Sequence, residues 1–114
     1  MKQFLLILRG GRPAASKTEE ESKAETAAWN VYMGSLAQNG HMAGGVPLVS
    51  GGKSVSASGI TNEPVTSSPE GIVGGYLLIN AESLDAAATL ADACPHKNYN
   101  GHVEVREIAP MPAM

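Results

Sequence analysis

Gly74-Gly75-Tyr76-Leu77-Leu78-Ile79 is the stretch that decides the fold, an apolar run of strand length in the second half of the chain. An Ala- and Leu-rich segment follows from Ser83 to Ala93 and stops at Cys94-Pro95, which predicts a helix. His102–Arg106 then alternates apolar and polar side chains, as a strand does. Strand, helix and strand within about 35 residues predict one βαβ unit.

The first part of the chain predicts another strand and helix. Phe4-Leu5-Leu6-Ile7-Leu8 does not alternate, which indicates a strand with apolar side chains on both of its faces. Thr18 and Glu21 fit a capping box, and Asn39-Gly40 fits a left-handed cap at the other end. The first helix is therefore predicted over residues 18–38.

The middle of the chain is rich in Gly, Pro, Ser and Thr. His41–Val49 predicts a strand, Gly51-Gly52 a hairpin turn, and Lys53–Ser58 the partner strand. Gly59–Gly71 predicts a long loop or a weakly paired hairpin, and such loops commonly serve a binding site or a subunit contact. The order of elements predicts an α+β, ferredoxin-like βαββαβ fold with an antiparallel sheet.

Length and composition restrict the domain count and the function classes. The 114 residues predict a single domain over residues 1–109, with a tail over 110–114 where two prolines cannot continue a central strand. A net charge of −3 without a basic stripe argues against nucleic-acid binding. No apolar run approaches the roughly 20 residues of a membrane helix. A single cysteine makes no internal disulfide, so we expect a cytoplasmic protein that does not enter the membrane.

Several motifs, taken in order, resemble a known family. They are Lys2–Arg9, Asn39-Gly40, Gly74–Ile79, Ser83–Ala87, Cys94-Pro95 and Gly101–Arg106. Together they resemble the YCII-related domain, and more closely a divergent member of its branch named for an Asp-Gly-Pro-Phe (DGPF) signature. The resemblance implies a ferredoxin-like subunit that dimerises through its sheets, the arrangement of the dimeric α/β-barrel superfamily. It also leaves open a regulatory protein linked to sigma-factor transcription.

The sequence departs from the family pattern at functional positions. The signature would fall near Asn62–Val65, where only Pro64 is kept. The resemblance implies a histidine in the first helix and an aspartate before the proline that follows the second, but these positions hold Trp29 and Cys94. The His/Asp acid–base pair is therefore missing. Cys94 is expected to be a buried structural residue, because the negative end of a helix dipole raises a thiol pKa.

A homodimer is also predicted on physical grounds. Two helices cover only one face of a four-stranded sheet, whereas the first strand is apolar on both faces. Each large apolar side chain left in water forgoes about 1.5–3 kcal/mol of burial free energy. A second copy of the same sheet would cover the bare face.

Candidate ligand contacts lie near the predicted boundary between helix and sheet. Trp29, Tyr32 and Tyr76 could line an apolar pocket with polar groups, or could simply fill the core where alanines leave volume. Arg9, where the first strand ends, could hold a carboxylate through two hydrogen bonds.

Two function classes remain open. One is a module that binds a small organic molecule between the first helix, the sheet and the Gly59–Gly71 loop. The other is a cofactor-independent lyase or isomerase, with His41 or His96 as the catalytic residue that replaces the missing pair. Glu63 and Glu70 could act as bases if the loop folds over the pocket. No cofactor is predicted, and no metal site either, because the histidines lack metal-ligand spacing.

Overall fold

The computed structural model describes residues 1–12, 16–65 and 68–110. Across these residues it contains six strands, two α-helices and a five-residue 3₁₀ helix. In chain order they are β1 (Lys2–Gly10), α1 (Glu19–Gln38), β2 (Met42–Pro47), β3 (Ser54–Ser56), β4 (Gly59–Thr61), β5 (Val73–Ala81), α2 (Leu84–Asp92), the 3₁₀ helix (Pro95–Tyr99) and β6 (Gly101–Glu107).

Four of the strands form one antiparallel sheet in the order β2-β5-β1-β6. β1 lies between β5 and β6, so that Leu6 is opposite Leu77 on one side and Val105 on the other. Because β5 and β6 are both antiparallel to β1, they run parallel to each other and are joined through α2. This arrangement confirms the predicted α+β, ferredoxin-like βαββαβ fold.

The pairing in the middle of the chain differs from the prediction. β2 pairs with β5, so that Gly45 is opposite Leu77, and it does not pair with residues 53–58. Ser54–Ser56 instead pairs with Gly59–Thr61 in a separate two-stranded sheet. The predicted hairpin turn at Gly51-Gly52 is therefore wrong. β5 is nine residues long and β3 only three, so β5 offers β2 a longer ladder of hydrogen bonds.

The core lies between one face of the sheet and the two helices. Alternate side chains of the two central strands are buried there, together with two residues from each helix: Phe4, Leu6, Leu8, Leu77, Ile79, Tyr32, Leu36, Ala87 and Ala91. Tyr32 donates its hydroxyl to the carbonyl of Leu90 over 2.8 Å, which ties α1 to α2. The alanines of α2 are small, so that this helix can lie close to the sheet.

The opposite face of the sheet is not covered by α1 or α2. Leu5 and Ile7 of β1 and Leu78 of β5 are partly exposed on that face. The register of β6 places Arg106 beside Leu5 and Glu104 beside Ile7. The open face is therefore apolar at its centre and charged along β6.

The start of α1 is fixed by a capping box. Thr18 Oγ1 accepts a hydrogen bond from the Glu21 N–H, and the Glu21 carboxylate accepts one from the Thr18 N–H, both over 3.0 Å. Arg12 donates to the same carboxylate over 2.6 Å. The Arg12 hydrogen bond, helped by the cap, lowers the pKa of Glu21 from 4.5 to about 2. The segment that follows β1 is thereby attached to the first turn of α1.

Thr18→Ala is expected to lower the free energy of unfolding by about 1 kcal/mol, because the Glu21 N–H loses its acceptor. Urea denaturation followed by circular dichroism measures the change. Thr18→Ser keeps the hydroxyl and is the matched control, for which we expect a much smaller loss. Equal stability of the alanine and serine variants would contradict the capping role.

An NMR pH titration of the Glu21 side-chain carbon is expected to give a pKa of about 2, because Arg12 donates a hydrogen bond to the carboxylate. Arg12→Gln should raise this pKa towards 4.5, whereas Arg106→Gln should leave it unchanged. Since folding lowers this pKa, the stability that the carboxylate contributes is present above pH 4.5 and is lost as the pH falls to about 2. A Glu21 titration that does not respond to Arg12→Gln would refute the pairing.

Candidate functional site

A cavity of about 460 Å³ opens on the helix-covered side of the sheet, at the end where β1 leaves it. This volume suits a small organic molecule. Its apolar walls come from the two central strands, α1 and β2: Leu8, Leu77, Trp29, Met33, Val46 and Pro47. Its polar groups come from the segment after β1, from α1 and from the 3₁₀ helix: Arg12, Lys17, Glu25, His96 and Tyr99. The cavity is thus apolar along its walls and charged at one end.

Glycines shape the cavity where strands and rings approach closely. A Cβ atom on Gly45 would lie 2.7 Å from the Leu77 side chain and 2.7 Å from the Tyr76 carbonyl oxygen. A Cβ on Gly11 would lie 3.0 Å from Cε1 of His96, and the φ of +97° at Gly11 also favours glycine. Larger residues at either position would displace the cavity lining.

Trp29 is held in place by the core behind it. Its ring meets the Tyr32 ring edge to face, with centroids 5.9 Å apart and an interplanar angle of 77°. Tyr32 is itself buried and fixed by its hydrogen bond to Leu90. Trp29 therefore presents a supported surface to the cavity, while Tyr32 lies behind it. Tyr76 also borders the cavity, although strand alternation places its side chain on the face opposite Leu77.

The charged end of the cavity contains more cations than carboxylates. The Lys17 ammonium forms an ion pair with Glu25 and lies over the Tyr99 ring, 4.9 Å from its centroid. Only 12% of the Lys17 side chain and 23% of the Glu25 side chain are exposed. Arg12 lines the cavity as well, and its partner Glu21 does not. The formal charges of the lining residues Arg12, Lys17 and Glu25 therefore sum to +1, while Glu21 balances Arg12 from outside the lining.

His96 also lines the cavity, where the backbone fixes its ring. Its Nε2 atom lies 2.8 Å from the carbonyl oxygen of Arg9. A carbonyl oxygen only accepts hydrogen bonds, so Nε2 must carry a proton. In the neutral ring the lone pair is then on Nδ1.

The structure places three of the predicted site residues outside the cavity lining. Tyr32 lies in the core behind Trp29. Arg9 donates through Nε to Glu104 over 3.0 Å, beside Ile7 on the open face of the sheet. His41 lies just before β2, with Nδ1 2.8 Å from the carbonyl oxygen of Asn80, and it does not line the cavity. The cations at the cavity are Arg12 and Lys17, which the sequence analysis missed. Their position in the connection between the predicted first strand and the predicted first helix could have indicated them.

The predicted boundary of the cleft is also different. No described residue of Gly59–Gly71 lines the cavity, and the 3₁₀ helix together with Gly10–Arg12 borders it instead. Glu63 is exposed, and Glu70 lies in a separate shallow depression with Arg9. The Gly59–Gly71 loop was expected to border the site. The segments that follow β1 and α2 border it instead.

Cys94 is fully buried next to the 3₁₀ helix, and burial raises the pKa of its thiol. Across residues 1–12, 16–65 and 68–110, no group of three His, Cys, Asp or Glu side chains is arranged to hold a metal ion. Within the same ranges no helix is both long and apolar enough to cross a bilayer.

Comparison with known proteins identifies the family. No curated protein matches the chain in sequence. The fold is similar to that of 5-chloro-2-hydroxyhydroquinone dehydrochlorinase (TftG) from Burkholderia phenoliruptrix AC1100, solved in complex with 2,5-dihydroxybenzoquinone. The two share 18% sequence identity with a TM-score of 0.55, over 94% of this chain and 93% of that one. The family model for the YCII-related domain matches residues 4–112, nearly the whole chain, and the protein therefore belongs to the YCII-related domain family.

Proposed function

We propose that this YCII-related protein binds a small planar organic anion in the cavity between α1, the sheet and the 3₁₀ helix. The observation that supports this most is the division of the cavity into apolar walls and a cationic end. Apolar walls favour the body of an organic molecule, and a few polar groups at one end fix its orientation. The ligand class that fits both parts is an aromatic carboxylate or phenolate.

The shape of the cavity supports a flat ligand. Trp29 presents a ring surface that is supported by Tyr32, and Gly45, where β2 and β5 approach closely, lines the same cavity. Aromatic side chains stack well on planar rings. The similar fold of a dehydrochlorinase that holds a dihydroxybenzoquinone agrees with this ligand class by analogy.

The charges support an anion. Lys17 and Glu25 largely compensate each other, whereas Arg12 brings a guanidinium to the cavity and pairs with a carboxylate outside its lining. The Arg12 guanidinium donates to both Glu21 carboxylate oxygens and to the Ser16 carbonyl, which leaves N–H groups on Nε and Nη1 for a ligand anion. Arg12 is therefore the proposed anion contact, in the role that the sequence analysis gave to Arg9.

We also propose that the protein is a cytoplasmic homodimer that forms through the open face of the sheet. Leu5, Ile7 and Leu78 make the apolar centre of that face. Burying such a side chain is worth about 1.5–3 kcal/mol, and a second copy of the face would provide the cover. A single buried cysteine is compatible with a reducing compartment.

Arg12→Gln is expected to weaken salicylate binding about tenfold, since a hydrogen bond to a charged group contributes about 1.5–3 kcal/mol. Salicylamide has the same ring and no carboxylate, so its dissociation constant should change less than twofold. Isothermal titration calorimetry measures both ligands. Lys23→Gln removes a cation of α1 that is exposed, pairs with Glu19 and does not line the cavity, and it is the matched control. If salicylate did not bind, or bound both variants equally, the proposed anion site would be wrong.

Ile7→Glu is expected to convert a dimer to a monomer, because association would bury an unpaired carboxylate. Sedimentation velocity at micromolar concentration measures the mass of the particle, and circular dichroism checks that the variant is folded. Val31→Glu places the same charge on α1 at a site that is 74% exposed, and it should leave the dimer intact. A wild-type protein that sediments as a monomer would rule out the dimer.

A further inference from the structure

We infer that the cavity is catalytic, with Nδ1 of His96 as a general base that moves a proton on the bound organic acid. The inference rests on the proposed binding function and adds a reaction to it. It assigns proton transfer to a residue of the 3₁₀ helix. The histidine and aspartate that the family resemblance implies would lie instead at the positions of Trp29 and Cys94.

The hydrogen bond of His96 leaves the base on the free side of the ring. Nε2 donates to the Arg9 carbonyl over 2.8 Å, so the lone pair of the neutral imidazole is on Nδ1. No described residue hydrogen-bonds to Nδ1. Every fully buried side-chain nitrogen or oxygen among the described residues has a partner. Nδ1 is therefore accessible, on a ring that lines the cavity.

The ring is also held rigidly, as a general base should be. A Cβ on Gly101 would lie 2.4 Å from both Cδ2 and Nε2 of His96, and a Cβ on Gly11 would lie 3.0 Å from Cε1. The ring thus fills the space between two glycines that flank it. Packing against backbone on both sides keeps Nδ1 in one place, so that little reorganisation is needed when substrate binds.

The neighbouring charges suit the removal of a proton from carbon. The charged and titratable groups that share the cavity with His96 are Arg12, Lys17, Glu25, Tyr76 and Tyr99. When a base removes a proton from a carbon next to a carbonyl, negative charge develops on the carbonyl oxygen. Arg12, whose carboxylate partner lies outside the cavity lining, would stabilise that charge.

The reaction class is a keto–enol isomerisation of an aromatic 2-oxo acid. Nδ1 takes the proton from the carbon next to the carbonyl, and the C–H electron pair becomes the new C=C bond. The carbonyl π electrons move to the oxygen, which takes a proton from water. Return of the His96 proton to solvent completes the cycle, so that the step needs no oxidant, reductant or cofactor.

Phenylpyruvate is the probe for this reaction. In deuterated water, NMR measures the loss of its methylene proton signal, and calorimetry measures its binding separately. The wild-type protein should accelerate this exchange over the buffer rate. His96→Gln keeps a donor for the Arg9 carbonyl but has no base, so the exchange rate should fall about 100-fold or more while the dissociation constant changes less than twofold.

His41→Gln is the matched control, since His41 also bonds to a backbone carbonyl but lies outside the cavity, and it should keep the full rate. Added imidazole should restore exchange to His96→Ala and should not affect His41→Gln. Binding without acceleration by the wild type, or full activity in His96→Gln, would overturn the catalytic role and leave the binding site standing. Absence of phenylpyruvate binding would overturn the proposed binding function itself, and the catalytic role with it.

Discussion

The structure depends on the central position of β1 and on the alternation of its side chains. Phe4, Leu6 and Leu8 face the helices and are buried, whereas Leu5 and Ile7 face the other way and stay partly exposed. One face of the strand thus stabilises the subunit, and the other is available to a second copy. Because side chains alternate along a strand, a shift of β1 by one residue against its neighbours would exchange the two faces.

The end of β1 connects this packing to the cavity. The carbonyl of Arg9 holds the His96 ring, and Gly11 leaves space for it. Arg12 then bonds both to the Tyr99 carbonyl and to Glu21 in the first turn of α1. The same short segment therefore fixes the start of a helix, the position of the 3₁₀ helix and the charge of the cavity. The site thus combines the two central strands with β2, α1 and the 3₁₀ helix. Glu70 and Gly71 pack against Gly10 but do not line the cavity.

The elements that the sequence predicted correctly are those with local causes. The apolar run of β5 and the capping box of α1 each depend on neighbouring residues, and their order is enough to predict the fold. The partner of β2 depends on residues about thirty positions away, and turn chemistry at Gly51-Gly52 cannot determine it. Local patterns therefore gave the elements and the fold class, but they could not give the pairing of the middle strands.

Predicting the individual residues of the site from local sequence patterns meets the same limit. Trp29 could be expected near a pocket because large aromatic residues are scarce in this chain. Arg9 and Arg12 differ by three positions, yet alternation sends Arg9 to the open face, while Arg12 lies beyond the strand, where no periodicity applies. The surroundings of His96 result from a 3₁₀ helix that the sequence analysis did not distinguish from a turn.

The residue at position 94 differs chemically from the one that the family resemblance implies. Cys94 directly precedes the 3₁₀ helix that carries His96, and its thiol is fully buried, which raises its pKa. The thiol makes no side-chain hydrogen bond to the first turn of that helix. A neutral thiol fits this buried position because it places no charge in the core, as an aspartate would. Loss of the expected carboxylate and a cavity-lining imidazole two residues later are consistent with acid–base chemistry that has moved along the chain.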